Sequence, residues 1–307
     1  MSMAPAQVVG PIRRDPVQYD LLDYATRTAR LVEPEAGDVH WENGVTWESI
    51  GSNPASGIGE FQCPPNSTFG IPFTFPSGLS IDKADPFTIW HSYKCSPVGH
   101  GTSSEEEILF AERMAATRLQ TFEMMQVENY IWNGITDPDG DPGALVGGFA
   151  NNAVMLDGSV ATPLAVRYAI AALEEYISAT YGSKGVIHMG RAVANIGLAD
   201  FSLDTFENDT QLRTQLGTPV VAGRGYHGLG PGGVDPGVGF AYIFATPALE
   251  VMRSNVVSFT PMGGGLTNRN DLLSMAQRQY VVRYDGMDET PETTPVAGVK
   301  VNLTAFA

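Results

Sequence analysis

The chain has 307 residues, of which 43% are hydrophobic, so it is long enough to bury a substantial core in one or two domains. Its formal net charge is -16, and residues 31–60 carry acidic side chains but no Lys or Arg. Tight binding to nucleic acid depends on Lys and Arg that neutralise phosphates. The charge therefore argues against a nucleic-acid-binding protein.

The number of cysteines and the length of the apolar runs indicate the compartment in which the protein is made. Cys63 and Cys95 are the only cysteines, too few for a disulfide framework or a four-thiolate zinc site. They could pair with each other, although reduced thiols are the default without an export signal. The first residues lack the basic start and apolar run of a signal peptide, and no apolar stretch approaches the roughly 18 residues that span a bilayer. The sequence thus predicts a soluble protein made in a reducing compartment, with no membrane partner.

The first hundred residues are predicted to contain little helix. Residues 1–40 read as an arm with one short helical patch at 17–32. Residues 41–100 are rich in Pro and Gly, with short strand candidates at 70–75 and 86–90. A compact domain rarely contains such a long irregular stretch. We therefore expect a projecting strap whose apolar side chains find partners elsewhere.

One long helix is predicted from Ser103 to Asn133. Ser103 and Glu106 form a capping box, and Glu105 to Glu107 fill the first turn, where the helix dipole favours acidic groups. No Gly or Pro interrupts the segment until Asn133-Gly134 supplies a left-handed stop. About thirty residues correspond to roughly 45 Å of helix, long for a globular domain.

This helix carries two apolar stripes. The first, which we assign to the chain's own core, comprises Ile108, Ala111, Ala115, Leu119 and Phe122. The second lies well round the wheel and comprises Phe110, Met114, Met125 and Trp132. Charged residues, among them Glu123 and Glu128, are assigned to the remaining surface. Two interpretations stay open: the central helix of an ordinary domain, or a spine between its own sheet and another segment or subunit.

Residues 161–264 are predicted to form a compact α/β unit with a mixed sheet. A helix begins at Thr162 and ends at Gly182, and a short helix covers 191–199. Strand candidates lie at 185–189, 218–222 and 240–244. A long strand at 272–285 and a last strand at 299–303 follow.

No catalytic, cofactor or metal site is predicted. Gly223 to Gly228 match the G-x-G-x-x-G pattern of dinucleotide loops, but the required helix cannot follow, because Leu229-Gly230-Pro231-Gly232-Gly233 comes next. A flexible loop at the tip of the α/β unit is the preferred interpretation. The five histidines show no pair at metal-ligand spacing, and His188 is expected to be a hydrogen-bonded core residue.

The order of these parts resembles the major capsid protein of tailed bacteriophages, the Hong Kong 97-type fold, and in particular those of phages infecting actinobacteria. The segments that carry the resemblance are Tyr93–Gly99, Gln126–Glu128, Trp132–Gly134, Leu173–Ile177, Thr180–Ser183, Val186–Met189, Gly217–Gly223 and Asn270–Asp271. It covers about 90–290 by motif and the first ninety residues by architecture alone.

The resemblance implies an α+β fold with five parts. Residues 1–40 would be the N-terminal arm and 41–85 the extended loop that reaches a neighbour. Residues 86–160, with the spine helix at 103–133, would form the peripheral domain, joined again by 265–307. Residues 161–264 would be the axial domain.

The resemblance also implies a structural protein rather than an enzyme. It would assemble with itself into hexamers and pentamers of an icosahedral shell, aided by scaffolding, portal and decoration proteins. The shell would enclose double-stranded DNA without sequence-specific binding, in the virion, after assembly in the host cytoplasm. The runner-up is an encapsulin-type bacterial nanocompartment, and an α/β enzyme is a remote third. Candidate contacts between subunits are Phe69, Ile71, Phe73, Phe75, Phe110, Met114, Met125, Trp132, Tyr226 and His227.

Overall fold

A computed structural model describes residues 29–33, 45–48, 81–95, 104–136, 145–146, 148–156, 158, 160–181, 185–205, 211–260, 272–284 and 295–304. The helices of these residues are α1 Ser104–Asn133, α2 Phe149–Asn152, α3 Val166–Thr180 and α4 Arg191–Ala199, with a short 3-10 turn at Pro231–Gly233. The strands are β1 Arg30–Val32, β2 Val45–Glu48, β3 Ile81–Ala84, β4 Phe87–Cys95, β5 Ile135–Thr136, β6 Leu145–Val146, β7 Val154–Met155, β8 Leu164–Ala165, β9 Val186–Gly190, β10 Leu203–Thr205, β11 Leu212–Thr214, β12 Pro219–Gly223, β13 Phe240–Thr246, β14 Glu250–Arg253, β15 Val257–Phe259, β16 Leu272–Arg283 and β17 Ala297–Asn302.

The long helix predicted from the sequence is confirmed as α1, which has 30 residues. It ends where expected, because Gly134 adopts φ 73° and its N–H donates to the Tyr130 carbonyl oxygen at 2.8 Å. The stripe assigned to the core is buried at its centre, since Ala111, Ala115 and Leu119 have no exposed surface. None of the described helices combines the length and apolarity that crossing a bilayer requires.

The chain divides into two compact units. Among the described residues, the first unit contains 88–95, 104–123, 255–260 and 272–278. The second contains the rest, including the last ten residues of α1. In the first unit, β15 pairs antiparallel with β16, and Val257 lies opposite Gln277.

The larger sheet belongs to the second unit and has the strand order β10-β11-β12-β9-β13-β17-β7, with β8 also paired to β17. Its side chains alternate between two faces. Ile187, Met189 and Ile243 pack in one hydrophobic core with Ile170 and Leu173 of α3 and with residues of α4. The intervening residues of β9 and β13 are buried as well, so both faces of the sheet are covered.

The position of β17 corrects one prediction. Residues 265–307 were predicted to return to the peripheral domain, whereas β17 belongs to the larger sheet, where it lies between β13 and the short strands β7 and β8. It pairs antiparallel with β13 from Phe240↔Asn302 to Ala245↔Ala297. In turn, β14 and β15, predicted within the axial domain, pair with β16. The alternation of β17 predicts a strand, but pairing between strands so distant in sequence follows from tertiary packing.

Two further boundaries differ from prediction. Residues 30–32, expected in a helical patch, form β1, which pairs parallel with β14 so that Arg30 lies beside Glu250. Helix α3 begins at Val166 rather than Thr162, because Leu164 and Ala165 pair with β17. The strand predicted at 86–90 is confirmed as part of β4.

The extended loop predicted at 41–85 is described only near its ends, where β2 and β3 pair antiparallel and Val45 lies opposite Ala84. Phe69, Ile71, Phe73 and Phe75 lie outside the described residues. Their role as contacts between subunits stays a prediction.

Candidate functional site

The last turn of α1 inserts a tryptophan into an aromatic cluster on the larger sheet. Trp132 has no exposed surface, and its ring centroid lies 4.8 Å from that of Tyr226 and 5.0 Å from that of Phe244. Phe149 of α2 lies 5.4 Å away. The indole Nε1 donates to the carbonyl oxygen of Leu229 at 2.9 Å, so the one polar atom of Trp132 is satisfied. This cluster joins α1, α2 and the sheet within the second unit.

The cluster corrects the prediction that Trp132 and Tyr226 contact other subunits. Trp132 is 0% exposed and Tyr226 is 4% exposed, so neither side chain is accessible to a second chain. The helical period correctly placed Trp132 on a different face of α1 from the stripe that contains Leu119. However, the surface that covers Trp132 is the chain's own sheet.

A chain of three hydrogen bonds runs through the same part of the second unit. The Thr246 hydroxyl donates to the carbonyl oxygen of Pro247 at 2.8 Å, so its oxygen accepts from His188 Nε2–H at 2.9 Å. The other ring nitrogen, Nδ1, is then the acceptor for the Tyr226 hydroxyl, also at 2.9 Å. His188 is thus neutral, with its proton on Nε2. The predicted hydrogen-bonded core histidine is confirmed.

Burial keeps both titrating groups of this chain uncharged. Complete burial lowers the pKa of His188 from 6.5 to about 3. Burial, together with the nearby Glu128 carboxylate, raises the pKa of Tyr226 well above 10. The phenol therefore stays a donor and the imidazole an acceptor across the physiological pH range.

The loop that follows β12 is fixed to α1 by a buried carboxylate. Glu128 has no exposed surface, and its Oε2 accepts the backbone N–H of Gly225 at 2.8 Å. A Cβ on Gly225 would lie 2.7 Å from the backbone nitrogen of Asn129 and closer still to the carbonyl oxygen of Met125. Only glycine allows this approach of the loop to the helix.

These contacts explain the G-x-G-x-x-G pattern without a nucleotide. Two other glycines of the pattern are also required by their surroundings. A Cβ added to Gly223 would lie 2.7 Å from the Tyr226 ring, and Gly228 adopts a φ of 69°, which favours glycine. No α-helix follows, as expected; the next element is the 3-10 turn at Pro231–Gly233. The loop packs on α1 and is not an exposed tip, which corrects its predicted place.

In the first unit, α1 makes polar contacts in addition to burying its apolar stripe. Glu123 and Arg278 form a salt bridge with 2.9 Å between Arg278 Nη1 and Glu123 Oε1, and their side chains are 7% and 13% exposed. Thr260 donates to Glu112 at 3.1 Å and shares a 2.8 Å hydrogen bond with Ser274. Glu123 and Glu128 were predicted to lie on the helix surface. Both are buried, because each has a partner that a helical wheel does not show.

The other predicted contact residues on described elements are partly or fully accessible. Phe110 is half-buried, with its ring edge-on to Tyr93 at 6.1 Å and the Arg113 guanidinium 5.6 Å away. Met114 and Met125 are half-buried, and His227 is exposed. Contact with another subunit stays a prediction for these residues.

Sequence reasoning missed two exposed apolar side chains, Phe201 and Leu216, which are 80% and 78% exposed. No periodic pattern marks them, because one follows the end of α4 and the other lies in a turn. Among the described residues, no group of three or more His, Cys, Asp or Glu is arranged to hold a metal ion.

Comparison with solved structures identifies the fold. No protein-family model and no curated protein matches the sequence. A chain from Mycobacterium phage Adephagia matches with a TM-score of 0.52 and 13% identity, over 99% of this chain and 100% of that one. A capsid chain of the native GTA particle matches with a TM-score of 0.50 and 13% identity, over 97% and 96% of the two chains.

An encapsulin matches with a comparable TM-score and a lower identity. The chain of the holo-SrpI encapsulin complex from Synechococcus elongatus PCC 7942 matches with a TM-score of 0.50 and 8% identity, over 98% of this chain and 95% of that one. At these identities the comparisons establish the fold. The α+β fold predicted from the resemblance to phage capsid proteins is therefore confirmed over nearly the whole chain.

Proposed function

We propose that this chain is a structural protein that assembles in many copies into a closed icosahedral shell, the capsid of a tailed bacteriophage. The observation that carries the proposal is the extent of the fold match. A capsid chain and an encapsulin chain each cover at least 97% of this chain, and this chain covers at least 95% of each of them.

The charge of the chain supports a shell that encloses DNA. A formal net charge of -16 opposes adhesion to a polyanion, so packaged DNA would be confined without being bound. The proposed contents are double-stranded DNA held without sequence-specific contacts.

The proposed partners are first of all other copies of the chain, arranged as hexamers and pentamers. Scaffolding, portal and decoration proteins are proposed to guide or complete the shell. The proposed place of assembly is the host cytoplasm, and the final location is the virion. In this role the protein performs no turnover.

An encapsulin-type compartment is the second candidate, and the match to the Synechococcus encapsulin favours it as strongly by TM-score. The two candidates differ in contents: a capsid contains DNA, and a compartment contains protein. The sequence similarity to actinobacterial phage proteins at segments such as Tyr93–Gly99 favours the capsid.

Electron microscopy and sedimentation of the purified protein, expressed alone and with scaffolding and portal proteins, test the proposal. We expect closed shells of uniform size. Sedimentation as monomers or dimers under every condition would contradict a shell protein of either kind. Particles isolated from infected or induced host cells should contain nuclease-protected DNA, whereas protein cargo without DNA would select the compartment.

A further inference from the structure

Phe201 combines a strained backbone with an exposed ring. Its φ is 60°, and it is the one residue other than glycine with a positive φ among those the structure describes. A large side chain rarely adopts this conformation, because its Cβ crowds the backbone. The ring is 80% exposed and so gains nothing from the chain's own core. Such strain persists where the surrounding structure enforces it, most often at functional positions.

Leu216 lies at the same end of the β10–β11 hairpin. It occupies the turn between β11 and β12, where Gly217 adopts φ 85° and donates to the Thr214 carbonyl oxygen at 2.9 Å. The neighbouring Gln215 donates from Nε2 to the carbonyl oxygen of Phe201 at 3.1 Å, which joins the two segments. We call these two exposed side chains, on segments joined by this hydrogen bond, the Phe201–Leu216 knob.

Polar contacts behind the knob hold it in place. Asp200 Oδ1 accepts the backbone N–H of Ser202 at 3.0 Å and the Ser202 hydroxyl at 2.6 Å. The Glu174 carboxylate of α3 accepts the hydroxyls of Thr214 and Thr218 on either side of the Leu216 turn. The segments that carry the knob are thus fixed before any partner arrives, which lowers the entropic cost of a contact.

The size of the knob indicates its partner. An aromatic side chain buries roughly 150–250 Å², whereas a stable interface needs about 800 Å² on each partner. Two side chains bury too little area to bind a free partner protein by themselves. They can contribute to a contact with a neighbour that other surfaces already bind, as happens in an assembly of many copies of one chain. Resting on the proposed shell function, we propose that the knob packs against an adjacent copy of this chain within the shell.

Oxidative footprinting of the wild-type protein tests this contact directly. Free subunits and assembled shells are exposed to hydroxyl radicals, and oxidation of Phe201 and Leu216 is followed by mass spectrometry. We expect oxidation of both side chains to fall several-fold on assembly. Equal oxidation in subunits and shells would overturn the inference.

Matched variants provide a second measurement. Phe201→Asn and Leu216→Asn remove the apolar groups, and Asn tolerates the left-handed backbone at position 201. Loss of one large buried side chain should raise the subunit concentration for half-assembly about tenfold or more. Val238→Asn is the control: it makes the same kind of change at an exposed apolar side chain in a different loop, without the strained backbone of Phe201, and should leave assembly unchanged. The unfolding midpoint of the free Phe201→Asn subunit should stay equal to that of the wild type or rise, since strain is relieved.

The outcomes separate the two proposals. If the wild type forms no shells, alone or with scaffolding protein, the proposed function fails and this contact fails with it. If shells form but Phe201 stays reactive, or if both Asn variants assemble like the Val238→Asn control, the contact alone is wrong. Because footprinting uses the wild-type chain, a variant that does not fold leaves the test intact.

Discussion

Helix α1 buries apolar residues in both units, but its other buried contacts differ in chemistry between them. In the first unit, its acidic side chains meet polar partners, with Glu123 on Arg278 and Glu112 on Thr260. In the second, Trp132 packs among three aromatic rings, and the one buried acid nearby, Glu128, accepts a backbone N–H. A buried ion pair fixes the orientation of its two side chains but contributes little net folding free energy, because both charges lose their hydration. Burial of aromatic rings stabilises the fold directly. We therefore expect the aromatic end of α1 to carry more of the folding free energy.

The largest effect is expected at that aromatic end. Trp132→Ala should lower the free energy of unfolding of the isolated subunit by about 3–5 kcal/mol, because a fully buried ring is replaced by a cavity. Trp132→Phe, which retains a ring but loses the bond to Leu229, should cost less. Urea denaturation followed by circular dichroism measures both. A Trp132→Ala subunit that folds normally but fails to assemble would instead restore Trp132 as a contact between subunits.

The polar part of α1 should respond differently to single and double changes. Glu123→Gln leaves the Arg278 charge buried without its carboxylate, and we expect a loss of about 3 kcal/mol. The double variant Glu123→Leu with Arg278→Met removes both charges and should recover most of that loss. If the two variants are equally unstable by urea denaturation, packing rather than charge governs this region, and the contrast between the two parts of α1 disappears.

The sequence predicted the local features of this fold better than its long-range contacts. The ends of α1 followed from the acidic first turn and Gly134, and the hydrogen-bonded state of His188 followed from its place in an apolar strand. The ends of α1 depend on neighbouring residues, and the apolar strand around His188 predicts its burial, although its partners Tyr226 and Thr246 lie 38 and 58 residues away. The burial of Trp132 and Glu128 depends on segments nearly a hundred residues away, Leu229 and Gly225. A helical period shows which face a residue occupies but not what covers it.

The place of β17 could not be predicted for the same reason. Its alternation indicated a strand, yet its partners β13, β7 and β8 precede it by more than fifty residues. The Phe201–Leu216 knob could not be predicted, because a strained backbone angle corresponds to no recognisable pattern in the amino-acid sequence. Gly225 was noticed as part of a glycine motif, but its loop was predicted to be a flexible tip, whereas the missing Cβ of Gly225 allows the loop to contact α1.

Gly225→Ala tests that contact. The added methyl would meet backbone atoms of α1 that cannot move aside, so we expect a loss of about 3 kcal/mol in the free energy of unfolding. Gly232→Ala is the control: unlike Gly225, Gly232 adopts a φ of 67°, which favours glycine, but it has open space around its Cβ position. It should cost only about 1 kcal/mol from backbone strain. Similar losses in both variants would show that the close approach to α1 contributes nothing.

The smallest expected effect concerns pH and tests the neutral state of the His188 chain. The folded-state pKa of His188 is about 3, below the ordinary 6.5, because burial disfavours its charged form. Between these two values the unfolded state binds the proton and the folded state does not. Stability from this group is therefore complete above pH 6.5 and is lost as pH falls towards 3.

At pH 5 the loss from His188 should be about 2 kcal/mol relative to pH 7. Urea denaturation of the free subunit between pH 7 and pH 5 measures it, since carboxylates with ordinary pKa values titrate mainly below this window. His188→Gln, which cannot take up a proton, should be less stable at pH 7 but should show a shallower dependence on pH. Some slope should remain, because partial burial and the Arg118 charge also lower the pKa of His91. An unchanged slope in His188→Gln would mean that His188 is not the group that titrates, and that the hydrogen-bond chain through Tyr226 and Thr246 does not hold it neutral.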